Sequence, residues 1–328
     1  MAKTALNNSN SDASLPLIIV NPKSASGATS NKWIAMASEV REHFGPFNVA
    51  FTKAPGDGQR IAEAAAKSGP RLIIACGGDG TINEVANGII RSAKDAELGI
   101  LPSGTGGDFR RTLGLPSTIR GAAAALRDGV TKTIDAGRVT FLSDDDQTVS
   151  RFFLNISSVG LAASVIKRVK RSKAYDWIPI NAVRGKANFA LSALQELTDL
   201  EPVTVRIRID DGRESQVQTI CLCVANSRYF GGGMMIAPDA KLDDGLFDII
   251  NIGDMTTLKI ISNAYSLYRG THLRLEEVKS TLVKKIDIAP LDSSHEILLE
   301  TDGEIPGRLP ATFEIIPKAI RVRVPKGV

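Results

Sequence analysis

Short apolar runs separated by amphipathic stretches organise the first part of the chain. LPLIIV (15–20), FNVAFT (47–52), RLIIAC (71–76) and LGIL (98–101) are strand-length, partly β-branched and bounded by Gly, Pro or Asn. They predict buried strands. Between them, Trp33, Ala37, Val40 and Phe44 recur on one helical face, Ile61, Ala64 and Ala65 on a second, and Ile82, Val85, Ala86, Ile89 and Ile90 on a third. Alternation of this kind predicts an α/β domain with a parallel sheet and helices on both faces. Beyond Gly137 the texture changes to runs that mostly alternate: RFFLNIS (151–157), VTVRIRI (203–209), QTICLCVAN (218–226), LFDIINI (246–252), STLVKKIDI (280–288), EILLE (296–300) and AIRVRV (319–324). These predict an antiparallel β-rich sandwich or barrel, with inserted helices near 161–173, 182–197 and 256–268. The expected organisation is a disordered tail over 1–14, an α/β domain over 15–137 and a β-rich domain over 138–328.

Composition narrows this picture only modestly. The 328 residues are 43% hydrophobic and 23% charged, a globular balance long enough for about two domains. A net charge of +4 is too small to mark a nucleic-acid binder by bulk charge, and no nucleic-acid partner is expected. No apolar run approaches the roughly 20 residues that cross a bilayer, and the polar N-terminus lacks the apolar core of a secretory signal. Three cysteines, two of them (Cys221 and Cys223) on one face of a predicted strand, make no disulfide framework, so a reducing cytoplasm is the expected home. His43, His272 and His295 are too scattered to suggest zinc.

Candidate chemistry concentrates at strand ends. In RLIIACGGDGTINEVANGII (71–90) a buried strand passes through Gly77, Gly78, Asp79, Gly80 and Thr81 directly into an amphipathic helix. Glycines there let phosphate or ribose approach backbone amides, and the helix N-terminus adds its positive dipole end. Asp79 would repel a bare phosphate, so ribose hydroxyls, or Mg2+ bridging it to phosphates, are its expected partners. Alternatively the glycines are a tight connection only, since Thr81 and Glu84 form a T-x-x-E capping box that would start the helix whatever the function. A second Gly-rich turn, Leu101 to Phe109, follows the next strand, and a third, Asn21 to Gly27, follows the first and offers Lys23 beside two hydroxyls. All three should open at the C-terminal edge of the sheet, where open α/β sheets bind ligands. No G-x-G-x-x-G or G-x-x-x-x-G-K-[ST] pattern aligns to them, which removes the dehydrogenase and P-loop readings.

VNPKSASG, GGDGTINEV, LPSGTGGDF, APDAKLDDGLFDI (237–249) and TDGE (301–304) together resemble the diacylglycerol kinase catalytic-domain family, which includes sphingosine, ceramide and bacterial lipid kinases. The resemblance spans nearly the whole chain after the tail, in order and spacing. NAD kinases and phosphofructokinases share the GGDG turn, but the DDG and DGE motifs fit the lipid kinases better. The resemblance implies an N-terminal domain that binds ATP and a C-terminal domain that holds a lipid. Asn21, Pro22, Lys23, Ser24, Thr52, Gly77, Gly78, Asp79, Gly80, Thr81, Ile82, Asn83 and Thr105 would hold the nucleotide. Glu304 would be the general base, with Asp302 beside it in the catalytic turn. A structural Mg2+ would rest on the Asp244 carboxylate and the carbonyls of Lys241 and Leu246. One departure is Gly107, where the family usually carries Asn.

The residues themselves agree with these roles without requiring them. Phosphoryl transfer needs a positioned alcohol, charge neutralisation and, in many kinases, a carboxylate that accepts the hydroxyl proton. Glu304 suits that last role, because Gly303 permits a sharp bend; otherwise Asp302-Gly303 is a hairpin turn and Glu304 a solvated side chain. Lys241, Asp243 and Asp244 are otherwise a surface turn, and hard oxygen donors there would suit Mg2+ or Ca2+. The run Lys167, Arg168, Lys170, Arg171 and Lys173, followed by Trp177 and Ile178, is either a solvated helix face or a contact for anionic lipid. The expectation is therefore a cytoplasmic, peripherally membrane-associated lipid kinase, dependent on ATP and Mg2+, whose acceptor is diacylglycerol, a sphingoid base or ceramide. A homodimer is left open. The competing readings are an NAD or small-polyol kinase and a non-catalytic lipid- or nucleotide-binding regulator.

Overall fold

The computed structural model describes residues 15–104, 107–161, 163–164, 166, 202–292 and 296–327. The basic run from Lys167 to Ile178, the predicted helix at 182–197, most of that at 161–173, and Thr105 lie outside these residues.

Two compact units emerge. The first comprises the chain up to Ser103, Gly114–Lys132 and the residues from Ile320 onward; the second comprises Gly104–Leu113 and Thr133–Ala319. The expected boundary at 137 falls inside the strand β5 (Val130–Leu142), close to the division of the units at Lys132–Thr133. The residues from Ile320 onward cluster with the first unit. A long strand conceals a boundary because its side-chain pattern does not change where the chain leaves one core for another.

In the first unit, β1 (Leu17–Val20), β2 (Asn48–Phe51), β3 (Leu72–Gly77) and β4 (Glu97–Pro102) form a parallel sheet in the order β2-β1-β3-β4. The end of β17 (Glu304–Val324) adds to β4 through Arg321 and Val322. The crossovers carry α1 (Ala28–His43), α2 (Asp57–Ser68), α3 (Asp79–Ser92) and α5 (Ile119–Asp128). The short α4 (Asp108–Thr112) belongs to the second unit. Ile18, Val20, Ile74 and Leu101 pack with Met36 and Val40 of α1 and Ala122, Ala123 and Leu126 of α5. Ile19, Ile73, Ala75 and Ile100, pointing the other way along the same strands, are equally buried, as a sheet covered on both faces requires. β2 departs from its expected burial: Asn48, Val49 and Phe51 are exposed on an edge strand.

The second unit is a β-sandwich. One layer runs β14 (Val278–Val283), β13 (Phe247–Ile252), β10 (Cys221–Ala225), β7 (Ile156–Gly160), β16 (Leu298–Thr301) and the start of β17. The other runs β9 (Glu214–Thr219), β8 (Val203–Ile209), β15 (Lys285–Pro290), β17, β5 and β6 (Thr148–Phe153). Val205, Val224, Phe247, Ile286, Leu299 and Phe313 meet in its core, where Phe153 stacks on Phe247 at 5.6 Å. Three runs read as single strands are in fact broken: 151–157 at Leu154–Asn155, 218–226 at Ile220, and 280–288 at Lys284. The far face of β10 and β13 carries Cys221, Cys223 and Ile250, covered by Ile260 and Leu267 of α6 (Thr257–Arg269). Cys221 and Cys223 lie 3.6 Å apart, sulfur to sulfur, in this core. Burial pushes the Cys76 thiol up to about 12, which disfavours its nucleophilic thiolate.

Candidate active site

The parallel register brings the strand ends of the first unit together. Val20 aligns with Phe51 and Cys76, Cys76 with Leu101, and Gly77 with Pro102, so the turns at Asn21, Thr52, Gly78 and Ser103 leave from one edge. Backbone bonds carry the ladder into the turns: Thr52 N–H donates to Val20 (2.9 Å), Asn21 N–H to Cys76 (3.0 Å) and Ser103 N–H to Gly77 (3.1 Å). Side chains then cross-link them. Asn21 Nδ2 donates to Thr81 Oγ1 at 3.0 Å, and Asn21 Oδ1 accepts from Lys23 N–H at 3.0 Å. Ser24 Oγ donates to the Asn21 carbonyl at 2.8 Å and meets the Thr29 hydroxyl, which in turn pairs with Ser103 Oγ. Pro22 is fixed through its carbonyl, which accepts from Ser30 N–H at 3.3 Å. Lys23 is exposed.

α3 starts earlier than the T-x-x-E pattern suggests. Gly78 is its N-cap residue and Asp79 and Gly80 occupy its first turn, which presents the positive helix end at the same edge. Thr81 instead accepts from Asn21. Glu84 caps a different helix: its carboxylate oxygens accept from Gly56 N–H (2.8 Å) and Gly58 N–H (2.9 Å) at the start of α2. Gly77 is required for space, because a Cβ there would lie 2.6 Å from Thr81 Cβ and 2.9 Å from its Cγ2. Ile82 is a core residue, and Asn83 is buried with its Oδ1 accepting from Asn87 Nδ2 at 3.1 Å.

In the second unit, β16 and β17 are joined by Asp302 and Gly303, both at positive φ (47° and 85°), as a two-residue primed hairpin turn demands. Asp302 is an anchor. Its carboxylate accepts from the N–H groups of Leu154 (2.9 Å), Asn155 (3.0 Å) and Ile156 (3.2 Å), where β6 breaks from β7. Glu304, opposite Thr301, pairs through Oε2 with Arg151 at 2.7 Å, its side chain 42% exposed. Glu300, absent from the sequence reading, holds the hairpin from below: this buried side chain accepts from Gly303 N–H at 2.7 Å and from Ser158 Oγ at 2.5 Å.

Two further buried aspartates order the remaining motifs. Asp108 pairs with Arg111 at 2.6 Å and accepts from Gly232 N–H at 2.8 Å, which ties α4 to the hairpin of β11 (Tyr229–Phe230) and β12 (Met234–Met235). Gly107, its N-cap, has φ +75°, a region that asparagine also tolerates. Asp135 accepts from Gly245 N–H and Lys318 N–H, both at 2.7 Å, while its own N–H donates to the Leu242 carbonyl, fixing the 242–245 turn to β5. There Asp244 Oδ1 accepts from Leu246 N–H at 3.1 Å. Burial first, then repulsion from Asp244 and Asp239, raises the Asp248 carboxyl to about 6. Among the described residues no three His, Cys, Asp or Glu side chains group as metal ligands. A cation here would rest on one carboxylate and backbone carbonyls. Hard oxygen donors beside crowded carboxylates fit Mg2+, whose charge would relieve that repulsion.

The first unit is thus a parallel sheet whose strand-end turns are cross-linked, and the second a sandwich bearing a carboxylate hairpin. Residues 16–139 match the diacylglycerol kinase catalytic domain, and residues 156–324 match the YegS C-terminal NAD kinase beta sandwich-like domain. A diacylglycerol kinase of Staphylococcus epidermidis is 33% identical over 278 residues, 84% of this chain and 81% of that protein; one of Bacillus subtilis (strain 168) is 31% identical over 84% of each. A Bacillus anthracis str. Sterne crystal structure superposes with a TM-score of 0.73 at 25% identity, covering 99% of this chain and 100% of that one. The chain belongs to the diacylglycerol kinase family and is a lipid kinase.

Proposed function

We propose that the protein transfers the γ-phosphate of ATP to a hydroxyl of a membrane lipid, with diacylglycerol as the acceptor, and that it works from the cytoplasm at an anionic membrane surface. The cross-linked strand-edge cradle (Asn21 to Thr81, Thr29 to Ser103, Ser103 to Gly77) carries the nucleotide reading. The names of relatives at 31–33% identity support the acceptor. Asn21 to Ser24, Thr52, Gly77 to Asn83 and Thr105 are assigned to ATP, whose phosphates suit the positive end of α3. Glu304 takes the proton as the lipid oxygen bonds to the γ-phosphorus and the bond to the ADP oxygen breaks. Arg151 holds that carboxylate at 2.7 Å, and Asp302 and Glu300 fix its hairpin. Bound Mg2+ would supply charge neutralisation at the phosphates, and a structural ion would rest on Asp244 with the carbonyls of Lys241 and Leu246.

Glu304→Gln tests the assignment. A general base contributes about 10² to 10⁴ in rate, so kcat for diacylglycerol should fall by that factor with ATP affinity nearly unchanged. A variant turning over at the parent rate removes Glu304 from the chemistry.

A further inference from the structure

We infer that the outer face of α6 is the surface by which the protein rests on a lipid bilayer. The helix TLKIISNAYSLYR has no buried residue. Its inner stripe, Ile260 and Leu267, already packs on the core around Cys221 and Ile250. The opposite face of a surface helix is normally polar. Here it carries Leu258 (77% exposed), Ile261 (47%), Tyr265 (69%) and Tyr268 (52%), spaced i, i+3, i+7 and i+10 along a single stripe. Four large side chains in a row over a helix about 20 Å long form a continuous apolar edge rather than scattered surface residues.

Charge and residue type select the occupant. The helix contains Lys259 and Arg269 and no Asp or Glu, and exposed Arg274 and Lys279 follow it, against exposed Asp254 and Glu276 beyond its two ends. Lys259 is paired with Glu277; Arg269 borders the apolar stripe. A second copy packed antiparallel on this stripe would bring Arg269 toward the partner's Lys259, with no acidic side chain on either helix to meet it. An anionic bilayer satisfies both features. It takes leucine and isoleucine below the headgroups, seats tyrosine rings at the interface, and attracts the flanking cations. A membrane-embedded acceptor makes such a surface necessary, because no helix among the described residues is long and apolar enough to cross a membrane. The inference rests on the lipid acceptor proposed above, and α6 supplies the docking surface within the described chain.

The test is co-sedimentation of the full chain with vesicles of phosphatidylcholine alone and of phosphatidylcholine with phosphatidylglycerol. The parent and two variants, Leu258→Ser/Tyr265→Ser and Ile261→Glu, are compared. Glutamate keeps a good helix former at an exposed position, so the readout does not hang on the folding of the double variant. The parent should bind the mixed vesicles better than the neutral ones. Each lost apolar contact should weaken binding about tenfold, while phosphoryl transfer to a short-chain diacylglycerol dispersed as monomers stays at the parent rate. Variants that bind mixed vesicles like the parent, or a parent that binds neither vesicle, overturn the inference. So does equal loss of rate on the short-chain acceptor, which would place the stripe in the fold. A parent that sediments as a dimer and becomes monomeric in both variants would assign the face to a second copy and overturn it as well. Should parent and variants all fail on the short-chain acceptor while vesicle binding still separates them, the docking surface stands and the proposed reaction falls.

Discussion

Replacing Gly77 with alanine probes the cradle through a single atom. Gly77 is not at positive φ, so the residue is required for space alone. The new Cβ would lie 2.6 Å from Thr81 Cβ and 2.9 Å from Thr81 Cγ2, and closer still to its hydroxyl. β3 is buried along its whole length, so the clash must be relieved by displacing the start of α3. Overpacking costs about 1–3 kcal/mol, and the Asn21–Thr81 hydrogen bond lost with the displacement adds about 1. Gly77→Ala should therefore lower the opening free energy of the β3 amides by about 2–4 kcal/mol, read by native-state hydrogen exchange. ATP affinity should fall at least tenfold, because the shifted turn is the one assigned to the nucleotide. Adding Thr81→Ala removes the hydroxyl and methyl but leaves the Cβ contact, so the double variant should regain about half of the lost stability. A single variant within about 0.5 kcal/mol of the parent, with ATP affinity intact, would refute both the packing argument and the placement of the cradle.

Other consequences can be checked independently. Asp302→Asn exchanges one of the two oxygens that accept from Leu154, Asn155 and Ile156 for a donor; it should cost about 1–3 kcal/mol and speed exchange at those three amides first, and unchanged protection there would contradict the anchor. Hydrogen bonding to Arg60, and then to the N–H groups of Lys53 and Ala54, lowers the Asp57 carboxyl to about 2, against about 3.9 in an unfolded chain. Because the folded value is the lower one, its contribution is complete above pH ~4 and disappears as pH falls toward 2, so Asp57→Asn should flatten the acid limb of stability over that window; an acid limb as steep as the parent's would contradict the assignment.

What could be read in the sequence follows from which forces are local. Buried parallel strands such as RLIIAC announce themselves because both faces are apolar, and the turns after β1, β3 and β4 do so because glycine, proline and asparagine cluster where the chain leaves the sheet. The cross-links between turns could not be read: the donor from Asn21 reaches Thr81 sixty residues away, and no period in the sequence records that distance. Glu84 misled for the same reason. Its spacing from Thr81 fits a local cap, but the orphan amides it satisfies belong to α2. The break at Leu154–Asn155 was hidden because its stabilising partner, Asp302, lies nearly 150 residues further on. Glu300 left a weaker trace, a charged residue closing the apolar run of EILLE, which signals a buried partner without naming it.

Transfer of label from γ-labelled ATP, with Mg2+, to a mixture of diacylglycerol, sphingoid base, ceramide, NAD and small polyols, followed by mass identification of the product, tests the central claim most directly. Labelled phosphatidic acid formed by the parent and suppressed by Glu304→Gln is the predicted result. Label appearing in NAD or a polyol, or ATP bound without transfer to any lipid, would contradict it.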